Sequence, residues 1–494
     1  MRPSPRLLLA AALLTTLRPA AAGLLPIGSQ RQLFLDDALI ESTERTMRRL
    51  NPAVKSKLNP IIRRDRPWEG EDLRIAWVIF DDQRQLFRMR YSSTTMTAEG
   101  RDTVGETRVN EGQSVICEAF SVDGVHWTKP ELGLVDFAGN RANNLVPSDQ
   151  HLSYFFQDPH DPDPARRYKA HVRKGSTREK GMTFELYTSA DAYHWVRSAT
   201  NPVIDLGEKV GRWGPTHFLG WDPIRSVYAA HMENNLHMNS PYARRSIGRA
   251  ESPDLTHWST AETIVVADER DYPDTEFYAM PTTFYEGWYL AFPWIFSTTN
   301  TRISPQFAFS RDGVRYQRDF REAIIPLGDP GDFDGVTVYA QEPIVHGGEI
   351  FCFYTGTNWR SPEQLEQLGP KARAAIGLAK LPLDGFVSFE GARREFSTVT
   401  TRTLTFRGTQ LVLSLYAALQ QWGAGPCEVR VELLDERHAP IPGFSLAEAD
   451  TLNRTGTDLP VSWRGRTDVS TLAGQPVRLK LHFRNAKLYS FQFR

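Results

Sequence analysis

The chain has 494 residues, of which 40% are hydrophobic and 11% aromatic, enough for several domains or for one long repeat fold with a large core. Its 58 basic and 59 acidic residues give a net charge of −1, which excludes a nucleic-acid binder that depends on overall positive charge. The three cysteines, Cys117, Cys352 and Cys427, are too few and too widely spaced for a disulfide framework or a zinc site. We expect them to be small buried side chains, and we predict neither a metal nor a cofactor.

The N-terminus has the pattern of an export signal. Arg2 and Arg6 precede the apolar run LLLAAALLTTL, and small residues follow as far as Ala22. This run is shorter than the roughly 20 residues that span a bilayer, and no later segment is apolar for that long. We therefore expect a signal peptide over residues 1–22, a mature chain without a transmembrane segment, and a secreted or periplasmic protein.

Four related stretches divide the middle of the chain. AFSVDGVHW, YTSADAYHW, AESPDLTHW and AFSRDGVRY have their serines at positions 121, 189, 252 and 310, and PLDGFVSFE is a weaker fifth copy. Each period of roughly 60 residues contains four short runs rich in β-branched and aromatic residues, a pattern typical of four-stranded propeller blades. The motif falls between the third and fourth runs. There, Asp and Gly favour a turn, and we expect the Trp to pack between neighbouring sheets.

These patterns predict an all-β protein: a five-bladed β-propeller over residues 60–392, followed by a C-terminal β-sandwich over residues 393–494. Residues 23–59 form a lead-in strand segment, in which we expect residues 31–42 to supply a closing strand or to cover an edge. The run FVSFE is predicted as the fourth strand of blade five. The stretch 361–375 is the one predicted helix.

The predicted architecture, together with SPDLTHW and SRDG in the blades, resembles secreted glycoside hydrolases of the family 32 and family 43 type. The C-terminal segment is similar to the tail of secreted bacterial proteins with a family 32 N-terminal-like propeller. This resemblance implies a carbohydrate substrate. The acidic motifs of family 32 are not intact, since FFQDPH places Gln157 where that family has the arginine of an Arg-Asp-Pro motif. We interpret the following Asp158 as a turn residue, and no catalytic residue is carried over.

Candidate site residues come instead from the position of each innermost strand, because ligands of propellers meet the starts of these strands. Glycoside hydrolysis needs one protonated and one ionised carboxyl group, and aromatic rings stack on sugar faces. The predicted catalytic carboxylates are Glu69, Glu276, Glu342 and Asp72, with Glu69 favoured because it lies between Trp68 and Gly70. The predicted substrate-binding residues are Trp68, Glu71, Trp213, His217, Tyr278 and Arg244.

The leading hypothesis is a secreted glycoside hydrolase that acts on an oligo- or polysaccharide by paired-carboxylate acid–base catalysis at the propeller axis. The first alternative is a non-catalytic glycan-binding propeller, which the missing family 32 motifs favour. The second is a sialidase-like hydrolase, because the repeat resembles a shortened Asp-box. Such an enzyme needs arginines around the substrate carboxylate, for which Arg212, Arg244 and Arg245 are available.

Overall fold

The computed structural model describes residues 23–94, 115–147, 155–174, 183–205, 217–236, 244–418 and 425–494. The predicted signal peptide lies outside these residues. In the described residues nearly all regular structure is strand, and no helix there is long and apolar enough to cross a membrane. The predicted helix is confirmed over its first half as α1 (Pro362–Leu368). Three short 3-10 helices accompany it: Pro164–Arg166, Gly369–Lys371 and Ser470–Leu472.

The architecture is a five-bladed β-propeller followed by a β-sandwich, as predicted. Five short strands precede the first blade: β1 (Leu25–Gly28), β2 (Gln32–Leu33), β3 (Ile40–Glu44), β4 (Thr46–Leu50) and β5 (Val54–Lys55). The first three blades are antiparallel sheets in which consecutive strands pair, except that the fifth strand of blade two pairs with the third. Blade one contains β6 (Asp72–Asp81), β7 (Leu86–Thr94), β8 (Val115–Ser121) and β9 (Leu145–Val146). Blade two contains β10 (Phe155–Gln157), β11 (Tyr168–Lys174), β12 (Thr183–Ser189), β13 (Val196–Arg197) and β14 (Ile204–Asp205). Blade three contains β15 (His217–Asp222), β16 (Val227–Leu236), β17 (Arg244–Ser252) and β18 (Glu262–Val265).

Blade four differs because prolines interrupt its strands. Pro281 and Pro293 lack the N–H that a sheet ladder needs, so the first two long strands are each split in two. The four pieces are β19 (Thr275–Phe277) and β20 (Thr282–Tyr285), then β21 (Trp288–Ala291) and β22 (Trp294–Ser297). The third strand of the blade is also in two pieces, β23 (Ile303–Pro305) and β24 (Ala308–Ser310). Blade five contains β25 (Thr337–Ala340), β26 (Ile344–His346), β27 (Glu349–Thr357) and β28 (Ala374–Pro382).

The sandwich contains strands from both ends of the chain. Its C-terminal strands are β29 (Val387–Gly391), β30 (Ser397–Thr401), β31 (Leu404–Phe406), β32 (Leu411–Ala417), β33 (Glu428–Leu434), β34 (Gly456–Pro460), β35 (Arg478–Arg484) and β36 (Ala486–Phe493). One sheet has the order β34-β32-β36-β29-β4 with β2 on β36, and the other has the order β3-β30-β35-β33. Trp463 and phenylalanines such as Phe483 and Phe491 fill the core between these sheets.

Two strand assignments made from the sequence are wrong. Residues 31–42 do not close the propeller, because β2 and β3 pair with the sandwich strands β36 and β30. The run FVSFE is not the outer strand of blade five either, since β29 pairs with β4 and β36. The N-terminal strand β5 pairs with β28 instead, so it supplies the outer strand of that blade.

The repeated motif is a turn held by hydrogen bonds, as predicted. In the second copy, Ser189 Oγ accepts from Ala192 N at 2.9 Å, and Asp191 Oδ1 accepts from the N–H groups of Tyr193 and His194 at 2.8 Å each. Trp195 Nε1 donates to Ala192 O at 3.0 Å. The residue after the Asp has a positive φ in each of the four strong copies, a conformation that glycine tolerates best. It is Gly124, Ala192, Leu255 and Gly313.

In three of the motifs, the aromatic residue at the end contacts a ring of the preceding blade, which confirms its predicted role between sheets. Trp127 of blade one lies 5.8 Å from Phe353 of blade five, between ring centroids. Trp258 lies 5.5 Å from His171 of blade two, and Tyr316 lies 5.9 Å from His231 of blade three. The motif therefore fixes the contact between adjacent blades. Cys117, Cys352 and Cys427 are free and buried, as expected.

We expect Asp191→Ala to lower the free energy of unfolding by about 1 kcal/mol, because two backbone N–H groups lose their acceptor. Partial burial alone would raise the pKa of Asp191, but hydrogen bonds from His194 and the backbone hold this pKa well below its usual range. The stabilisation is therefore complete above the unfolded-state pKa of about 3.9 and is lost as the pH falls through the lower folded-state value. Urea unfolding at pH 7 and below pH 4 checks both points. The exposed Glu131→Ala is the control, and an equal loss in both variants would contradict this role.

Candidate functional site

A cavity lies on the propeller axis. It has a volume of about 500 Å³ and is lined by the first strand of every blade, through residues 76–80, 155–157, 217 and 219, 282–285, and 341–346. Because five blades line this cavity, the sequence of a single repeat does not predict which residues face it. Only closure of the ring creates it, and this is the position that ligands occupy in propellers.

Glu342 and His217 face each other in this axial cavity. His217 Nδ1 lies 3.2 Å from Glu342 Oε1, and Trp294 packs edge-on against the imidazole at 5.4 Å between ring centroids. The His217 side chain is 3% exposed, whereas that of Glu342 is 36% exposed. The histidine is therefore fixed by its surroundings, while the carboxylate remains accessible from the cavity.

Glu342 is the only predicted catalytic carboxylate that lines the axial cavity in the described part of the chain. Asp82 also lines it, but it follows the end of the first strand of blade one, whereas His217 begins the first strand of blade three. Because the innermost strands of a propeller run in the same direction, Asp82 and His217 lie towards opposite ends of the axis.

The sandwich braces the Asp82 end of the cavity. Tyr285 lines the cavity and donates its hydroxyl proton to Asp384 at 2.8 Å. Asp384 is buried and also accepts from Arg31 at 3.1 Å and from Ser490 at 2.5 Å. Burial and the neighbouring Asp384 charge raise the pKa of Tyr285 above its usual value, so this hydroxyl stays protonated.

A second, smaller cavity adjoins the axial one and shares Gln341 with it. It has a volume of about 290 Å³ and lies between blades one, four and five. Tyr278 and Trp294 are near-parallel at 6.4 Å, and Tyr339 lies 4.9 Å from Trp294. The other lining residues are Arg74, Ile75, Thr355, Thr357, Trp359 and Arg360. Aromatic faces beside arginines and threonines provide both stacking surfaces and hydrogen-bond donors.

Glu276 lies beside this smaller cavity without lining it in the described residues. Its carboxylate forms an ion pair with Arg245, whose guanidinium is also 3.4 Å from Glu233. The guanidinium of Arg245 lies 5.9 Å from the centroid of the Tyr278 ring. Arg244, the predicted binding residue, is exposed at the start of β17 and lines neither cavity. Its neighbour Arg245 is the arginine that reaches the site.

Glu69 lies away from both cavities and is fully buried. Its Oε2 accepts from the backbone N–H groups of Asp65 and Arg66 at 3.0 and 3.1 Å. Its Oε1 accepts from the Tyr91 hydroxyl at 2.6 Å, and Lys129 Nζ lies 2.7 Å from the same oxygen. A carboxylate with this many donors braces its loop, and no oxygen remains open to a ligand.

The other three predicted residues of this loop are also engaged locally. Trp68 Nε1 donates to Asn144 at 2.8 Å, and Glu71 forms an ion pair with Arg64. Asp72 is buried, and Arg74 Nε donates to both of its oxygens at 2.8 and 2.9 Å. Burial raises the pKa of Asp72, although the charge of Arg74 opposes this shift. Asp72 thus orients Arg74, which lines the smaller cavity.

The structure therefore brings three predicted residues to the cavities, namely Glu342, His217 and Tyr278. Trp213 and Arg212 lie outside the described residues. The residues that sequence reasoning missed are Gln341, Trp294, Trp359, Arg360 and Arg74. One signal in the sequence points to two of them. Ser361 and Pro362 in NWRSPEQ mark the start of a helix, and Trp359 and Arg360 lie in the loop directly before it.

Neither a family model nor a curated protein matches this chain. Among solved structures it is similar to a β-1,2-mannobiose phosphorylase from Listeria innocua, with 14% identity and a TM-score of 0.46 over 67% of this chain and 97% of that one. A glycosyl hydrolase from Bacteroides ovatus has 13% identity and a TM-score of 0.41 over 71% and 96% of the two chains. A glycoside hydrolase has 13% identity and a TM-score of 0.45 over 70% and 92%.

None of these three structures is described as a family 32 or family 43 enzyme. In this chain, Asp158, which follows Gln157, is 2% exposed and lines neither cavity. It forms an ion pair with Lys169 at 3.0 Å and accepts from the Tyr228 hydroxyl at 2.9 Å. Asp158 is therefore a structural turn residue, as interpreted from the sequence.

Proposed function

We propose that the protein is a glycan-acting enzyme, a glycoside hydrolase that binds a sugar chain in the axial cavity and uses Glu342 for proton transfer. The observation that carries this proposal is the accessible Glu342 carboxylate, which is paired with His217 in a cavity bounded by all five blades. A propeller axis lined by aromatic and amide side chains suits a polar ligand that also has apolar faces.

The pair can exchange one proton with a substrate. His217 contacts Glu342 through Oε1, and Oε2 accepts no hydrogen bond in the described residues. In the acid form, the Glu342 carboxyl group gives its proton to the glycosidic oxygen as the bond from that oxygen to the anomeric carbon breaks. In the base form, the same carboxylate accepts the proton of a water molecule that attacks the anomeric carbon. The neighbouring imidazole orients the carboxylate in both forms.

The second candidate is a glycan-binding protein without turnover. One observation favours it: among the described residues, the axial cavity contains only one of the four predicted catalytic carboxylates. Hydrolysis by two carboxylates requires a pair about 5–5.5 Å apart for retention or roughly 6.5–9.5 Å apart for inversion. A binding protein needs no such pair.

Turnover on a panel of neutral and acidic oligosaccharides separates these two candidates. We expect new reducing ends, with products identified by mass spectrometry. Binding by calorimetry without any product would favour the second candidate, and the absence of both would contradict the glycan assignment. We further propose that the protein meets its substrate outside the cytoplasm, because its first residues have the export pattern. Loss of export on deletion of residues 2–22 tests this.

A further inference from the structure

Seven arginines of the described residues have a buried Nε without a hydrogen-bond acceptor, and Arg360 is the one among them that forms no ion pair with a described carboxylate. Its Nε is buried without a hydrogen-bond acceptor, and no carboxylate of the described chain forms an ion pair with it. Six other arginines have a buried Nε without an acceptor, and each pairs with a carboxylate through a terminal nitrogen: Arg31, Arg48, Arg318, Arg321, Arg478 and Arg484. Buried N–H donors normally have a hydrogen-bond acceptor. Because Arg360 has neither an acceptor at Nε nor a paired carboxylate among the described residues, a bound ligand can supply the missing anion.

The guanidinium of Arg360 is held in place at the wall of the smaller cavity. It lies 5.2 Å from the centroid of the Tyr278 ring and 5.4 Å from that of Phe296. Its backbone N–H donates to Gln364 Oε1 at 2.7 Å, and Ser361 and Gln364 form the capping box of α1. A cation fixed by two rings and a helix start loses little freedom when it binds an anion.

The nearby arginines do not offer the same free charge. Arg74, on the same cavity, is bonded to both oxygens of Asp72, and Arg245 pairs with Glu276. No carboxylate lines this cavity in the described residues. The site therefore presents one uncompensated positive charge beside the aromatic faces of Tyr278, Trp294 and Tyr339.

We infer that the smaller cavity is the subsite for an acidic sugar residue, one that carries a carboxylate or a sulfate group, and that Arg360 pairs with this anion. The inference rests on the proposed function, because it places one residue of a glycan next to the axial cavity through the shared Gln341. A guanidinium binds a carboxylate or sulfate through two parallel N–H groups, and the aromatic walls contact the C–H face of the ring.

Matched methyl glycosides test this inference. They are compared in the gluco, galacto and manno configurations, each with a hydroxymethyl, carboxylate or sulfated C6, by calorimetry or ligand-observed NMR. We expect at least one acidic member to bind wild-type protein about tenfold or more tightly than its neutral counterpart. The tighter of the carboxylate and sulfate arms identifies the anion. If the acidic and neutral members of every matched set bind the wild-type protein with equal affinity, the inference is overturned and no variant is needed.

The variants assign the effect to Arg360. Arg360→Gln should remove the preference for the acidic member, and Arg360→Lys should retain only part of it because lysine keeps the charge but not the two-pronged geometry. The exposed Arg437→Gln is the matched control and should leave the preference unchanged. An acid preference that persists in Arg360→Gln would contradict the assignment, and thermal unfolding confirms that each variant is folded.

The two proposals fail in different ways. Binding of acidic glycosides that depends on Arg360, without turnover of any glycan, leaves this subsite in place and removes the hydrolase. Turnover of neutral glycans that is unaffected by Arg360→Gln, without any preference for acidic glycosides, supports the hydrolase and removes the acidic subsite.

Discussion

Glu342→Gln is expected to lower glycan turnover by about 10²–10⁴-fold while leaving the protein folded. A carboxyl group that donates or accepts the proton in the transition state contributes this much, and an amide can do neither. The Glu342 side chain is 36% exposed, and among the described residues its one ion-pair partner is His217, so its loss should change stability little. Initial rates on the preferred glycan, together with the unfolding temperature of each variant, measure both effects.

The matched control for this variant is Glu349→Gln. Glu349 belongs to the same blade, its side chain is 49% exposed, and its ion pair with Lys380 lies on the surface. We expect this control to retain the wild-type rate. Turnover by Glu342→Gln at the wild-type rate would show that Glu342 does not transfer the proton.

Glu69→Gln is expected to cost about 3–5 kcal/mol of folding free energy, because it breaks a buried ion pair with Lys129. The amide nitrogen would also meet donors, since Asp65 N, Arg66 N and the Tyr91 hydroxyl all donate to this carboxylate. The rate per folded molecule should stay close to wild type, because Glu69 lines neither cavity. Urea unfolding and rates normalised to folded protein measure these two quantities.

Glu71→Gln is the control for Glu69, two residues away. Its ion pair with Arg64 is partly exposed, and such pairs contribute less than about 1 kcal/mol. A Glu69→Gln protein of normal stability without turnover would restore Glu69 to the catalytic residues.

The propeller was predictable because its signal is local. Each copy of the Ser-Asp-Trp motif forms its turn with hydrogen bonds that span only two or three residues, so the pattern is visible in the sequence. The closing strand was not predictable, because Val54–Lys55 is two residues long and pairs with a strand more than 300 residues later. The run FVSFE has a strand pattern, but a pattern of this kind does not specify which sheet it joins.

The candidate site was predictable where a residue lies in an innermost strand or between the two pieces of one. His217, Tyr278 and Glu342 follow from this rule, and the structure places them at the two cavities. Glu69 precedes such a strand too, but its side chain turns towards Tyr91 and Lys129, which are 22 and 60 residues away. Arg360 follows the second strand of its blade, so only the packing of blades four and five brings it to Tyr278.

The most direct test of the central claim is a crystal structure of Glu342→Gln with a bound oligosaccharide substrate. We predict a sugar chain in the axial cavity, with its scissile oxygen about 2.6–3.2 Å from the side chain at position 342 and a ring extending past Gln341. A chain bound only to the sandwich or to the outer rim of the blades, with the axial cavity holding water alone, would contradict the account.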